Sequence, residues 1–164
     1  MKQRIIVLGK LALLLAMALP IFRAPGFPDW LTGRPGAQDR LFVAIGEGDM
    51  GAFDQALADG ASPTARNKWN ALPLTDAASL GRLEMARRLI AAGADINAAD
   101  GIGMTPLISA AGQDHVEVIE FLVRCGADVS RRDSLQRTAL DVAIFNECPK
   151  TAQALRLAVA SSEW

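Results

Sequence analysis

Asp100-Gly-Ile-Gly-Met-Thr-Pro-Leu107 opens a stretch that continues through Ile108-Ser-Ala-Ala-Gly-Gln-Asp114 and His115-Val-Glu-Val-Ile-Glu-Phe-Leu122, and closes at Gly126-Ala-Asp-Val129. Upstream, at one constant offset, Leu72-Pro-Leu74, Ala77-Ala78, Leu83-Glu84 and Gly93-Ala-Asp-Ile96 occupy the same places. Gly60-Ala61 precedes Gly93-Ala94 by the same interval that separates Gly93-Ala94 from Gly126-Ala127. A fixed period, marked here by Gly60, Gly93 and Gly126, is the sign of stacked structural units, so the unit must be read before any single motif.

Pro106 suits the first turn of a helix, where its missing N–H would have no intrahelical partner, and Thr105 before it is a cap residue. Leu107, Ala110 and Ala111 give this first helix a short apolar face whose small side chains let another helix approach. A second helix over Val116 to Arg124 places Val116, Ile119, Leu122 and Val123 on one stripe by three- and four-residue spacing. Gly126 then tolerates the positive φ that ends such a helix. Isolated helices shorter than about 12 residues are marginal in water, so each pair must be held by its neighbours.

On these residues the sequence resembles the ankyrin-repeat family, whose unit carries Thr-Pro-Leu at the start of one short helix and Gly-Ala-Asp after a second. The likeness is strongest over Asn67 to Ala99 and Asp100 to Arg132, fainter over roughly 34–66, and degraded from Asp133 onward. It implies an all-α repeat solenoid of stacked helix pairs joined by short fingers, and a role in binding proteins. The fold itself hosts unrelated activities.

Outward from the two clear units, Leu41, Ala44 and Ile45 supply a first helix, Phe53, Ala56 and Leu57 a second, and Gly48 the turn between them. In the next unit Leu74, Ala77 and Ala78, then Leu83, Ala86, Leu89 and Ile90, keep the packing pattern, while Leu72 lacks the hydroxyl that Thr105 offers. Asn97 is polar where its side chain can reach backbone. The last unit opens with Thr138-Ala-Leu140 and Ala143-Ile144, then departs: Cys148-Pro149 replaces His115-Val116, and Ala152, Leu155, Leu157 and Val159 continue a helical surface. About four repeats over 37–164 are expected, the first and last being caps, with Trp164 a candidate to cover the end.

Before them, Lys2 and Arg4 precede Ile5 to Leu8, and after Lys10 an apolar run extends from Leu11 to Phe22. A basic start, an apolar core and Ala16-Met17-Ala18 form an export pattern, so residues 1–24 read as a signal peptide or an N-terminal membrane anchor. Residues 25–36, rich in Pro and Gly, read as a linker or irregular lead-in, with Phe27, Trp30 and Leu31 available to pack on the first repeat. In a bacterial host this places the repeats in the periplasm, free or tethered to the inner membrane.

Chemistry is sparse. The chain has 17 basic and 18 acidic residues and a net charge of -1, interspersed along its length, which gives no attraction for nucleic acid; Arg131-Arg132 reads as solvated surface. The sole histidine, His115, falls at the interhelical turn, and Glu84 and Glu117 recur at helix starts, where they complement the dipole. Asp95, Asp100 and Asp128 are spread over turns rather than gathered in a calcium loop. Neither a phosphate-binding Gly-rich loop nor a serine-hydrolase elbow occurs. Cys125 and Cys148 fall at opposite ends of neighbouring helix pairs, too far apart for a disulfide. Catalytic residues, cofactors and metal ligands are therefore expected to be none.

Recognition is expected at the fingers. Lys68 and Trp69, Ile102 and Met104, and Leu135 and Arg137 fall in equivalent fingers, with Trp69, Ile102 and Leu135 at one register. They predict an exposed apolar strip with basic neighbours, a protein-contact surface. Ser79, Leu80, Gly112, Gln113, Phe145 and Asn146 on the first helices form a second candidate set. The reading is a non-enzymatic protein-interaction module outside the cytoplasm, with an unidentified protein partner. Two alternatives are a structural segment of an envelope assembly and an inhibitor or immunity-type partner of an exported enzyme. Fractionation with N-terminal sequencing tests the export expectation. A soluble species beginning at Leu19 indicates cleavage, intact Met1 in the membrane fraction indicates an anchor, and intact protein wholly in the cytosol defeats both.

Overall fold

The computed structural model describes residues 35–162. The chain divides between Gly36 and Ala37, and the second unit carries all the described helices. The expected export segment, the lead-in with Phe27, Trp30 and Leu31, and Trp164 lie outside the described residues. Among the described residues there are eight helices: α1 (Ala37–Glu47), α2 (Met50–Ala58), α3 (Pro73–Ser79), α4 (Leu83–Ala91), α5 (Pro106–Ala111), α6 (Val116–Arg124), α7 (Ala139–Phe145) and α8 (Pro149–Ser162). None is both long and apolar enough to cross a membrane.

The helices pair in sequence, α1 with α2, α3 with α4, α5 with α6 and α7 with α8. The first members of the pairs stack in one layer, α1 on α3 on α5 on α7, and α4, α6 and α8 stack in a second. This is the all-α stacked-pair architecture that the sequence period predicts.

Capping chemistry fixes where the short inner helices begin. Thr105 accepts from the Ile108 N–H through its hydroxyl (3.3 Å), and Thr138 forms a reciprocal box with Asp141, accepting from the Asp141 N–H (3.2 Å) while the Asp141 carboxylate accepts from the Thr138 N–H (2.8 Å). At Leu72 no side-chain cap forms, and the side chain is buried instead. The nearest hydroxyl, on Thr75, sits inside the same helix, buried, with no hydrogen-bond partner among the described residues. The second repeat thus starts its helix on Pro73 and apolar burial alone.

Stacking is carried by columns of equivalent residues. Ala44, Ala77, Ala110 and Ala143 are all buried, one per inner helix, so at this position nothing larger than a methyl separates adjacent backbones. Leu89, Leu122 and Leu155 form a matching buried column in the second layer, each contributing about 1.5–3 kcal/mol by leaving water. The stripes extend beyond those expected. Met85 on α4 and Val118 and Phe121 on α6 are buried, whereas Val116, Val123, Leu83 and Ile90 are half-buried at the margins. A helix with stacked neighbours on two sides and a partner on a third buries a wider arc than one stripe. Phe121 is further covered by the Arg87 guanidinium of α4, 4.5 Å from the ring centre. Leu157, expected to continue the surface of the last helix, is exposed on α8 beside a groove of about 310 Å³ against α6.

Side chains at the interhelical turns bind each repeat to the one before it. Arg82 donates from Nε and Nη2 to the carbonyls of Ile45 (3.3 Å) and Gly46 (3.0 Å) at the end of α1. His115, at the same register, reaches the Ser79 carbonyl at the end of α3 (3.0 Å); a carbonyl only accepts, so Nε2 carries the proton. Cys148 holds that register in the last repeat and is buried, and Asn146 takes over, donating from its side-chain amide to the Gly112 carbonyl (2.8 Å). These bonds satisfy carbonyls that the ends of short helices leave open. Gly81 is required by the arrangement: its φ is +68°, and a Cβ there would lie 2.7 Å from the His115 ring. In the second layer the buried Thr151 of α8 donates its hydroxyl to Asp114 (2.8 Å).

Ile119 and Ala111 are both buried. Ile119→Ala should cost roughly 2–5 kcal/mol as a large-to-small change, and Ala111→Leu about 1–3 kcal/mol through overpacking between α5 and its neighbours. Equilibrium denaturation of both variants checks this; near-neutral effects at both positions would contradict the packing.

Candidate functional site

The three fingers are built on one device. Asn67, Asp100 and Asp133 recur at the repeat interval, and each turns a side-chain oxygen back onto two amides of its own finger. Asn67 Oδ1 accepts from Trp69 N–H (2.9 Å) and Ala71 N–H (3.0 Å). Asp100 Oδ1 accepts from Ile102 and Met104 N–H (both 2.9 Å), and Asp133 Oδ1 from Leu135 and Arg137 N–H (both 2.9 Å). Residue i+2 of each turn is held at the tip with its amide satisfied and its side chain outward. Residue i+4 is drawn back toward the repeat body. The sequence reading placed Asp100 in a turn without assigning it this bond; an acceptor residue two positions before each strip residue was the available signal.

Trp69, Ile102 and Leu135 are 74%, 62% and 69% exposed. The fingers bearing them touch. A Cβ on Gly101 would lie 2.5 Å from the Asn70 side chain, so the first tip packs on the second. The Ser134 N–H donates to the Ile102 carbonyl (3.0 Å), fastening the third tip to the second. The strip is therefore continuous along one edge. Lys68 adds an ammonium 4.3 Å from the Trp69 ring centre and is itself exposed.

Two members of the expected set do not belong to the open edge. Met104 is half-buried and packs against the core, because it is residue i+4 of its turn. Arg137, at the equivalent place, is half-buried and held by the Asp133 carboxylate through Nε (2.9 Å) and Nη2 (2.7 Å), with its guanidinium 5.9 Å from the Phe145 ring centre. Its charge is matched within the fold. Lys68, Trp69, Ile102 and Leu135 remain as the accessible residues.

The second candidate set divides similarly. Leu80, Gln113 and Phe145 are exposed, Phe145 at 73%. Ser79, Gly112 and Asn146 are engaged in the ties between repeats. Asn97, expected to reach backbone, does so in the following repeat, accepting from the Asp128 N–H (2.8 Å). Cys125 is an exposed free thiol and Cys148 a buried one. Among the described residues no group of three or more His, Cys, Asp or Glu side chains converges on a metal site.

Comparison with known families finds that a model described as ankyrin repeats, in three copies, matches residues 74–159, just over half the chain. No curated protein matches it.

The turns also shape the acid response. The Asp133 carboxyl is held below its ordinary 3.8 by the Arg137 side chain, then by the Arg137 and Leu135 amides. Asp141 is lowered by the N–H and hydroxyl of Thr138, and Asp128 by the hydroxyl and N–H of Ser130. Asp76 on α3 moves the other way, raised by burial and then by the neighbouring charge of Asp100. A lowered carboxyl stabilises the fold in full above its unfolded value and loses that contribution as pH falls through the folded one; a raised carboxyl does the reverse. Stability should therefore drop below about pH 4, with a shallower acid arm in Asp133→Asn. Asp76→Asn should gain stability at neutral pH, the gain disappearing below the ordinary 3.8. Thermal midpoints measured against pH test both, and an Asp133→Asn profile parallel to the unsubstituted protein would refute the assignment.

Proposed function

The chain belongs to the ankyrin-repeat family, and from that membership we propose that it is a binding module that holds a protein partner along its finger edge, outside the cytoplasm. Members of the family are characteristically non-catalytic protein-binding scaffolds. The observation that carries the edge is the register of Trp69, Ile102 and Leu135: three large apolar side chains, all exposed, on turns that commit two hydrogen bonds each to hold them there. Core packing does not require these residues to be apolar. An exposed Trp with a lysine over its ring is the type of anchor that protein interfaces bury. Placement outside the cytoplasm rests on the Lys2, Arg4 and Leu11 to Phe22 pattern.

Affinity capture with the mature protein separates three uses of the edge. A single soluble enzyme as partner supports inhibition, several envelope proteins support a role in assembly, and any other specific partner supports the general binding module. With the partner in hand, Trp69→Ala should weaken binding by at least about 1 kcal/mol, and Ile102→Asp should oppose the contact by placing a charge in it. Lys68→Ala should have a smaller effect that salt reduces. Affinity is measured alongside unfolding; unchanged binding in both Trp69→Ala and Ile102→Asp, with the fold intact, would move recognition to Leu80, Gln113 and Phe145.

A further inference from the structure

Among the described residues, the α7–α8 pair leaves open a surface that every earlier pair has covered. Ile45, Ala78, Ala111 and Ile144 share one register on the inner helices. The first three are fully buried because the following inner helix lies on them, whereas Ile144 is 52% exposed, since no described helix lies beyond its pair. Around it Ile144, Glu147, Cys148, Pro149, Ala152 and Arg156 line a groove of about 350 Å³.

The charges at this face show the same interruption. Asp114 stands one repeat before Glu147, and at that internal boundary its carboxylate accepts from Thr151 of the next repeat. Glu147, exposed, has no ion pair or side-chain hydrogen bond among the described residues. Arg156 stands where Ile90 and Val123 are half-buried in earlier repeats; it too is exposed and without an ion pair among the described residues. One apolar floor thus carries an unmatched acid and an unmatched base, both in the same groove.

We propose that this face docks a second copy of the chain, related by a two-fold axis, with Ile144 packed at the centre and Glu147 of each copy paired with Arg156 of its partner. A patch holding one charge of each sign beside an apolar centre is complementary to itself under two-fold rotation, which brings acid onto base twice. Its apolar centre falls at the register that this chain buries at each internal boundary, through Ile45, Ala78 and Ala111. A polar outer face is what a terminal repeat needs to remain solitary, and Ile144 is the departure from it.

Sedimentation velocity of the full chain over roughly 5–200 µM, a range suited to a modest interface, should show a monomer–dimer equilibrium. Ile144→Asp should abolish the dimer. Glu147→Arg and Arg156→Glu should each weaken it about tenfold or more, and the double reversal should restore it. Circular dichroism and thermal unfolding accompany each variant; if Ile144→Asp disturbs the fold, the charge reversals carry the test, since both residues are exposed. Association through another part of the chain would not respond to these substitutions and would overturn the proposal. So would a wild type that stays monomeric throughout, growth beyond two copies by head-to-tail stacking, or a double reversal that fails to recover association.

Discussion

One methyl group per repeat sets the spacing of this protein. Ala44, Ala77, Ala110 and Ala143 are buried at the same register on the four inner helices, and helices this short have few other contacts to give up. The remainder follows from that close approach. It brings Arg82, His115 and Asn146 within reach of the preceding repeat's carbonyls, and it brings adjacent fingers near enough for the Ser134 amide to meet the Ile102 carbonyl. A larger residue in the column would separate the layers and stretch these polar contacts together with the apolar ones.

The fold was legible because its determinants are local and repeated. Thr105-Pro106, the paired alanines and Gly126 each act within a few residues, so their spacing alone locates α5 and α6. What lay beyond reach was whatever depended on a second repeat. Met85, Val118 and Phe121 look peripheral on a single helical stripe and become core only when a neighbour stacks on that side. Thr75 could not be singled out as an orphaned hydroxyl without seeing that Leu72 leaves its helix uncapped and that no described residue bonds to it.

The finger edge was half legible for the same reason. Register alone brought Trp69, Ile102 and Leu135 together, and their exposure follows from the tip position. Register also grouped Met104 and Arg137 with them, yet the turn that projects residue i+2 withdraws residue i+4. The distinction is made by Asn67, Asp100 and Asp133, whose side-chain oxygens select which amides, and so which side chains, point where. A list of apolar and basic residues does not contain that information; the position of the acceptor does.

The ties between inner helices all run one way, from a later repeat back to carbonyls of an earlier one. Synthesis proceeds in the same direction. A helix pair leaving the ribosome therefore keeps its inner-helix carbonyls on water until the following pair has been made, and each unit is completed one repeat late. The nascent chain is left with an unfinished trailing edge that advances by a single helix pair at a time, so the unit most recently made is always the one whose carbonyls still face water.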